Sequence, residues 1–372
     1  MNERLERRVT GSVADVSRTA AAGVPGGGSM CGHARTWAKA ILMGEHSVVY
    51  GYPAIAVPLT TLTMQAWAVP LVPGETDTLH ALDYDGPLDE SGARFAGLRR
   101  AVHVALRFAG CSTTVFDITT RAAFPDGRGL GSSAASSGAV VRAVVNACGA
   151  QASPQQLMAL TNEAEIVTHG HPSGLDTVTT CAASPVRFEG GSMYEVGVGA
   201  PAYLVIADCG IPGSTLEAVD AVQRLVESDH ARTVSILDRL GSLAGDSVGC
   251  LERGDMAQLG ASMNAAHELL DALQVSHPAV NRLVDVARTH GALGAKMTGG
   301  GLGGCVIALC GDENSALRIR HAFECAQAQT SWVHRIDPRR STDARGIDFR
   351  SVESTLSDSS REGERMQSAD VD

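Results

Sequence analysis

A glycine-rich segment, PDGRGLGSSAASSGAVVRAV at residues 125–144, has the composition of a phosphate-binding loop. Glycine lets the backbone approach a ligand closely and adopt positive φ, so that successive N–H groups point at one anion. A helix that starts directly after the loop adds unpaired N–H groups and the positive end of its dipole. Ser132 stands where a Walker motif requires a lysine. Taken alone, the segment is equally compatible with a tight turn that ends in a serine cap.

The segment KAILMGEHSVVYG places Lys39 inside an apolar strand. A buried cation is costly without a partner, and a lysine that projects into a cleft stabilises a phosphoryl group during transfer. The alternative is an edge-strand lysine whose ammonium group reaches solvent. Glu45 and His46 follow in a polar turn, where they either bind a polar substrate or belong to a solvated loop.

Carboxylates and a break in a helix occur together in NEAEIVTHGHPSGLDTVTT. Glu165 lies on the predicted helix, and Asp176 follows in a turn of small residues, a position that suits a base or a metal ligand. Asp176 alone is as readily a solvated turn residue. His169 and His171 form an H-x-H pattern without a third clustered ligand, which favours a structural or hydrogen-bonding role over zinc binding.

A second glycine-rich segment, KMTGGGLGG, has five glycines among residues 299–304 and leads into an apolar strand. So many glycines indicate a backbone that lies close to a ligand or to another loop. A flexible hairpin tip is the alternative interpretation.

Strands and helices that position these motifs are predicted from apolar periodicity. A strand is predicted before the turn at residues 44–46, a second near 54–58, and then a half-exposed strand in TLTMQAWAV. Further strands are predicted in TTVFDITT and AYLVIADCG, and a hairpin around Gly190–Gly191.

The helices are predicted after Ser132, around residues 154–168 with Ser153 as the N-cap, and in three amphipathic segments of the second half. The apolar positions that mark those three segments are Val219, Val222, Leu225 and Val226; Leu259, Met263, Leu269, Leu270 and Leu273; and Val280, Leu283 and Val284. Because strands and helices alternate without a regular βαβ order, the pattern predicts an α+β fold of two lobes.

The predicted organisation has two lobes between two tails. Residues 1–30, charged and then rich in Ala, Gly and Ser, are expected to be a flexible leader. The lobes comprise residues 31–195 and 196–337, with the boundary near 195–200. Residues 338–372 lack apolar periodicity and are predicted to be a disordered acidic tail.

Composition excludes several classes of function. The chain of 372 residues has a net charge of −11 and no basic run, so a nucleic-acid partner is not expected. An anionic ligand then requires local positive potential, which a helix N-terminus supplies. Nine scattered cysteines without a C-x-x-C pair, the absence of a signal-peptide pattern and the short apolar stretches predict a soluble cytoplasmic protein without a membrane partner.

The order of these motifs, covering roughly residues 36–310, resembles the GHMP superfamily of small-molecule kinases. Within that superfamily, KAILMGEHSVVYGYPAIAVPL together with HGHPSGLDT is most similar to the mevalonate kinases. The resemblance implies an N-terminal lobe like ribosomal protein S5 domain 2, a ferredoxin-like C-terminal lobe, an active site between them and a homodimer.

The resemblance also assigns roles in binding ATP and Mg²⁺. The residues expected to hold the ATP phosphates are Gly127, Arg128, Gly129, Leu130, Gly131, Ser132 and Ser133. Ser133 and Glu165 would in addition bind Mg²⁺.

For catalysis, the resemblance implies that Asp176 accepts the proton of the primary hydroxyl of mevalonate, while Lys39 orients Asp176 and stabilises charge on the γ-phosphoryl group. The residues expected to line the mevalonate side of the site are Glu45, His46, Thr215 and Gly300.

Two questions stay open from the sequence. Arg128 stands where a small residue is common in the family, and its side chain either contacts phosphate or points to solvent. The alternatives to mevalonate phosphorylation are another GHMP kinase, acting on phosphomevalonate, homoserine or a sugar, and a non-catalytic metabolite sensor. Retention of Lys39, Ser133, Glu165 and Asp176 together argues against the sensor.

Overall fold

A computed structural model of the protein describes residues 31–170, 173–340 and 347–348. The predicted leader, residues 1–30, and most of the predicted tail lie outside the described residues, as does His171. The described chain forms two β-sheets with helices packed on them, which confirms the predicted α+β class.

The larger sheet has eight strands and belongs to the N-terminal lobe. Its strands are β1 (Gly32–Met43), β2 (Ala54–Pro70), β3 (Thr78–Ala81), β4 (Tyr84–Pro87), β5 (Phe116–Ala122), β6 (Val186–Glu189), β7 (Ser192–Glu195) and β12 (Ile347–Asp348). The order is β12-β7-β6-β2-β5-β3-β4, and β1 pairs with β2. The ladders are antiparallel except for β3 with β5. The short strand β12 falls within the segment that the sequence predicted to be a tail.

Strand β2 is longer than the sequence predicted. The two stretches predicted near 54–58 and in TLTMQAWAV are one strand of 17 residues. Its pairing with β1 shifts between Trp37, opposite Thr63, and Ala38, opposite Leu59. The extra residues of β2 at this irregularity interrupt the alternation of apolar and polar side chains, which makes one bent strand resemble two in the sequence.

The described part of the N-terminal lobe also has four α-helices: α1 (Ala96–Ala109), α2 (Ser132–Ala147), α3 (Pro154–His169) and α4 (Leu175–Thr179). Helix α2 packs against β1, and its small side chains allow a close approach. A Cβ atom on Gly32 would lie 1.9 Å from the carbonyl oxygen of Ala143. Helix α3 begins as predicted, because the hydroxyl of Ser153 accepts a hydrogen bond from the N–H of Gln156.

The smaller sheet belongs to the C-terminal lobe and consists of β8 (Ala202–Asp208), β9 (Gly294–Thr298), β10 (Cys305–Cys310) and β11 (Thr330–Ile336). All of its ladders are antiparallel, and the strand order is β11-β8-β10-β9. In chain order within the lobe, the last strand therefore lies beside the first, the first beside the third, and the third beside the second. This order is the ferredoxin-like topology that the sequence resemblance implied.

The described part of this lobe has five α-helices: α5 (Thr215–Ser228), α6 (His230–Arg253), α7 (Met256–Ala272), α8 (Pro278–Thr289) and α9 (Glu313–Cys325). Of these, α7, α8 and α9 pack against the sheet. The predicted amphipathic segments correspond to α5, α7 and α8. Helix α6 was not predicted, and it contacts the turn after β1. Gly241 of α6 packs on Tyr52, since a Cβ atom at Gly241 would lie 2.3 Å from the ring atom Cδ1.

Buried apolar side chains form one large cluster that runs through both lobes. The ends of β1, β8 and β9 and the two glycine-rich loops meet where the lobes face each other. Among the described helices, none has the length and hydropathy needed to cross a bilayer.

Candidate active site

The first glycine loop is built from alternating left-handed residues. Gly127, Gly129 and Gly131 have φ values of 67°, 76° and 72°. Gly131 is the N-cap of α2, and Ser132 is its first helical residue. The first N–H groups of α2 have no intrahelical acceptors, so they and the helix dipole create an anion-binding position at the end of the loop.

The side chain of Lys39 leaves no room for a Cβ atom at residue 131, so the loop has a glycine there. A Cβ atom at Gly131 would lie 2.8 Å from Cγ and 3.0 Å from Cε of Lys39. The backbone N–H of Lys39 donates to the carbonyl of Leu130 over 2.9 Å, and the Leu130 side chain is buried. The loop is therefore held along the lysine side chain of β1.

Lys39 forms an ion pair with Asp176. Its Nζ lies 3.0 Å from Oδ1 of Asp176, and the side chains are 4% and 44% exposed, respectively. Asp176 lies in the first turn of α4, which follows Gly174 in the left-handed region at φ 77°. The N–H of Trp37 donates to the carbonyl of Thr180 over 3.0 Å and ties the end of α4 to β1. The pair thus has a buried cation and a carboxylate that a ligand can reach.

A second carboxylate lies beside the start of α2. Ser133 Oγ donates to Glu165 Oε1 over 2.8 Å, and Ser137 Oγ donates to the same oxygen over 3.1 Å. Glu165 is 3% exposed. Ser132 faces another way and donates to Asp126 Oδ1 over 2.6 Å. Hydroxyl and carboxylate oxygens are the donors that Mg²⁺ prefers, and it is commonly held by one or two carboxylates together with substrate phosphates.

Within the described ranges, no group of three or more His, Cys, Asp or Glu side chains is placed to hold a metal ion. The side chain of His169 is not described, and His171 lies outside the described residues. The H-x-H pattern stays a sequence observation.

Glu45 lies in a closed ion pair with Lys296 of β9. Lys296 Nζ contacts Glu45 Oε1 and also donates to the carbonyl of Met297 over 2.7 Å. The two side chains are 0% and 1% exposed for Lys296 and Glu45. Burial raises the pKa of Glu45 and lowers the pKa of Lys296, because both charged forms lose water, and the attraction between them opposes each shift. Glu45 Oε2 is buried and has no hydrogen-bond partner in the described part of the chain.

His46 connects this pair to the second glycine loop. Its Nε2 lies 2.7 Å from the carbonyl oxygen of Gly300, which can only accept, so Nε2 carries the proton. Burial lowers the pKa of His46, which favours the neutral ring. Thr215, at the exposed start of α5, lies against the same loop, because a Cβ atom at Gly300 would be 2.4 Å from Thr215 Oγ1.

The two glycine loops touch each other across the lobes. A Cβ atom at Gly299 would lie 2.9 Å from Cα of Gly129, and Gly213 N donates to the carbonyl of Gly127 over 3.3 Å. Thr298 Oγ1 accepts from the N–H of Ile41 over 2.9 Å. These contacts bring the predicted nucleotide, substrate and catalytic residues to one cleft.

Arg128 takes neither of the two positions that the sequence left open. Its side chain is 15% exposed and turns to the C-terminal lobe, where Nε lies 3.0 Å from Asp208 Oδ2 at the end of β8. The backbone of Arg128 stays in the loop, between two left-handed glycines.

Sequence reasoning missed Lys296 and Asp208. The signal for Lys296 was present, because this lysine stands within an apolar strand, the context that singled out Lys39. Asp208 ends an apolar strand in AYLVIADCG, and its partner Arg128 lies far away in the sequence. No local sequence pattern predicts the Arg128–Asp208 pair.

Comparison with known proteins identifies the family. The family model of the GHMP kinases N terminal domain matches residues 98–184, and that of the GHMP kinases C terminal matches residues 247–329. A mevalonate kinase of Thermococcus onnurineus is 32% identical over 298 residues, which cover 75% of this chain and 89% of the relative. A mevalonate kinase of Pyrococcus furiosus is 30% identical over 306 residues, covering 76% of this chain and 91% of the relative.

The solved structures agree. The crystal structure of L. major mevalonate kinase in complex with R-mevalonate matches with a TM-score of 0.71 and 25% identity, over 82% of this chain and 96% of that one. A Streptococcus pneumoniae phosphomevalonate kinase shares the fold with a TM-score of 0.69 at 16% identity, over 82% of this chain and 99% of that one. With motifs, fold and relatives in agreement, the chain belongs to the mevalonate kinase family of the GHMP kinases.

Proposed function

We propose that this protein transfers the γ-phosphoryl group of ATP to the primary hydroxyl of mevalonate, giving 5-phosphomevalonate and ADP. The observation that carries the proposal is the Lys39–Asp176 pair, a buried lysine holding an accessible carboxylate at 3.0 Å beside the glycine loop. The mevalonate kinases that match along most of their length support mevalonate as the acceptor.

ATP would bind with its phosphates against Gly127–Ser133. The left-handed glycines, the start of α2 and the ammonium group of Lys39 supply positive potential in a chain whose net charge is −11. Phosphoryl transfer demands positioning and charge stabilisation more than covalent chemistry from the protein. A helix N-terminus and one buried lysine meet that demand.

Asp176 would act as the base. An aliphatic alcohol is too weak an acid to ionise before it attacks, so the proton passes to the Asp176 carboxylate as the new oxygen–phosphorus bond forms and the bond to the ADP oxygen breaks. Lys39, held at Oδ1, orients the carboxylate and stabilises the oxygens of the transferring group. The exposed fraction of Asp176 leaves the carboxylate open to the substrate.

Ser133 and Glu165 are the residues that would hold Mg²⁺. Their oxygens already lie together, with the hydroxyl donating to the carboxylate over 2.8 Å, and this donor set fits the ion. When bound, Mg²⁺ neutralises charge on the β- and γ-phosphate oxygens. The position of both residues at the start of α2 places them beside the phosphate loop.

The mevalonate side of the cleft would be formed by Glu45, His46, Thr215 and Gly300. His46 and Thr215 both contact Gly300, so the second glycine loop and the turn after β1 form one wall. Glu45 forms a buried ion pair with Lys296 behind this wall.

A panel of alcohols with Mg-ATP tests the proposal. ADP release is measured with mevalonate, phosphomevalonate, homoserine and galactose at equal concentrations. We expect mevalonate to give the highest kcat/KM by at least tenfold. The proposal fails if mevalonate releases no more ADP than buffer while another acceptor does, and a sensor without turnover releases none with any acceptor.

We also propose a homodimer, as the family resemblance implies, and a cytoplasmic location, as the sequence pattern predicts. All nine cysteines are free thiols, which agrees with a reducing compartment. Light scattering during size-exclusion chromatography measures the oligomeric state, and a monomer mass at micromolar concentration contradicts the dimer.

A further inference from the structure

Arg128 is an unusual residue in the first glycine loop, and its environment is specific. It lies between Gly127 and Gly129, both left-handed, and its guanidinium leaves the loop to meet Asp208 of the other lobe. The Asp208 side chain is 2% exposed. Its second oxygen, Oδ1, accepts a hydrogen bond from the N–H of Gly210 over 2.8 Å, which fixes the carboxylate at the end of β8.

The contact is an ion pair rather than a saturated network. Arg128 Nε lies 3.0 Å from Asp208 Oδ2, yet neither Nε nor Nη1 has a well-aligned hydrogen-bond partner among the described residues. A buried pair of this kind adds little net stability, but removing one partner leaves an uncompensated buried charge. Stability alone is therefore a weak reason for an arginine at this position.

The Arg128–Asp208 pair lies between the first glycine loop and the C-terminal lobe, so it bears on the position of the loop. Around it, the backbone of the first glycine loop touches the C-terminal lobe: Gly213 N donates to the carbonyl of Gly127, and a Cβ atom at Gly304 would lie 3.0 Å from the carbonyl oxygen of Arg128. The Arg128–Asp208 pair is a charged side-chain contact between this loop and the C-terminal lobe. It fixes the loop at the residue between two conformationally permissive glycines.

We propose that Arg128 is a positioning residue that acts through Asp208. The pair fixes the phosphate loop against the C-terminal lobe and so sets the affinity of the protein for the phosphates of ATP. Without Arg128 the loop loses its side-chain anchor, and the carboxylate of Asp208 is left uncompensated beside a loop that must receive a polyanion. This inference rests on the proposed role of the loop in binding ATP.

A double-mutant cycle tests the inference. The variants are Arg128→Met, Asp208→Asn and the double variant, with Arg128→Lys as the conservative replacement. For each, KM for ATP, KM for mevalonate, kcat and the ATP affinity at equilibrium are measured well below the melting temperature, which is recorded separately. Arg320→Met, which removes an exposed arginine paired with Glu324, is the matched control.

We expect Arg128→Met to raise KM for ATP at least tenfold while KM for mevalonate changes less than twofold. Adding Asp208→Asn to Arg128→Met removes the uncompensated charge, and KM for ATP should fall at least threefold from its value in Arg128→Met. Arg128→Lys keeps the charge without the planar guanidinium and lies between wild type and Arg128→Met. Arg320→Met leaves both KM values unchanged.

Three results overturn the inference. The first is a KM for ATP within twofold of wild type in Arg128→Met. A purely structural pair would change only the melting temperature. The second is a double variant as weak as Arg128→Met, which makes Arg128 act independently of Asp208. The third result applies if Arg128→Met does not fold. It is an unchanged KM for ATP in both Arg128→Lys and Asp208→Asn.

Gly129→Ala separates this inference from the assignment of the loop. An added Cβ would lie 3.0 Å from the carbonyl oxygen of Thr298 at a φ of +76°, so the substitution distorts the loop backbone. If ATP binding is weaker in Gly129→Ala but normal in Arg128→Met, the proposed role of Arg128 is refuted and the assignment of the loop stands. Normal ATP binding in both variants refutes the loop assignment as well.

Discussion

Two lysine–carboxylate pairs lie in the cleft, and they differ in the exposure of the carboxylate. Lys39 of β1 and Lys296 of β9 both lie within apolar strands, and both are nearly inaccessible to solvent. Asp176, the partner of Lys39, is 44% exposed, whereas Glu45, the partner of Lys296, is 1% exposed. A carboxylate that exchanges a proton with a substrate must be reachable, so exposure rather than pairing separates a base from an internal support.

The two pairs also differ in what their loss should change. Replacing the exposed carboxylate of the open pair by an amide of the same size keeps an acceptor for the buried Lys39, so the effect should fall on turnover. Breaking the closed pair strands a buried charge, so the effect should fall on folding. Each prediction below tests one side of this difference.

The largest expected effect belongs to Asp176→Asn in the open pair. Without a proton acceptor, kcat should fall by about 10²–10⁴-fold, the usual contribution of a positioned acid–base group. ATP affinity and the melting temperature should stay close to wild type, because the side chain keeps its size and its amide oxygen can still accept a hydrogen bond from Lys39 Nζ. Steady-state kinetics and equilibrium ATP binding measure the two quantities. Asp337→Asn, in an exposed pair with Arg335, is the control, and normal turnover of Asp176→Asn refutes the base.

Lys296→Met breaks the closed pair. The stranded Glu45 carboxylate should lower the free energy of unfolding by about 3–5 kcal/mol. Adding Glu45→Gln should recover part of that loss, since it removes the remaining charge. Denaturant titration at neutral pH measures both. Arg335→Met, in its exposed pair, should cost about 0–1 kcal/mol. A loss from Lys296→Met no larger than that of Arg335→Met contradicts the distinction between the pairs.

The pKa of His267 offers a test of whether the surroundings of the Lys296–Glu45 pair disfavour other charged side chains. Burial, with smaller contributions from the nearby cations Arg288 and Lys296, lowers the pKa of His267 from 6.5 to about 4. Between these values the unfolded chain binds a proton that the folded chain does not. The contribution to stability is therefore complete above about pH 6.5 and declines as the pH falls toward about 4, by at most about 3 kcal/mol.

His267→Gln should accordingly make the free energy of unfolding less dependent on pH between about 6.5 and 4. Denaturant titrations at several pH values in this range compare the slopes of wild type and variant. Equal slopes contradict the proposed origin of the acid sensitivity.

A third carboxylate, Glu165, is as buried as Glu45 but is held by hydroxyl groups instead of a lysine. Ser133→Ala and Glu165→Gln should raise the Mg²⁺ concentration needed for half-maximal activity by about tenfold. Ser136→Ala is the matched control on α2, because its hydroxyl donates to the carbonyl of Ser133 rather than to Glu165. An unchanged Mg²⁺ titration in Glu165→Gln removes it from the proposed metal site.

Much of the fold was predictable from sequence because its signals are local. The glycine loop followed by small residues predicted α2 from Ser132, and Ser153 with Pro154 predicted the start of α3. Helix α6 escaped because glycine and polar residues separate its buried leucines, among them Leu237 and Leu240. The irregular pairing of β2 made one strand look like two.

The site was less predictable, since its energetics depend on tertiary contacts. The context of Lys39 indicated a buried cation, but only the structure shows its carboxylate partner at 3.0 Å. Lys296 carried the same signal as Lys39, and sequence alone does not tell which lysine has an accessible partner. The Arg128–Asp208 pair joins a loop to the end of a strand that is distant in the chain, and it forms only when the two lobes pack together.

Identification of the product by ³¹P NMR tests the central claim most directly. Wild-type protein, Mg-ATP and mevalonate should give ADP and an equal amount of a phosphate monoester whose signal is a triplet, because the phosphate is bonded through oxygen to a methylene carbon. Asp176→Asn should form the same product at a rate lower by about 10²–10⁴-fold. ADP without a phosphate ester, or an ester signal without coupling, as on the tertiary carbon of mevalonate, would contradict the account.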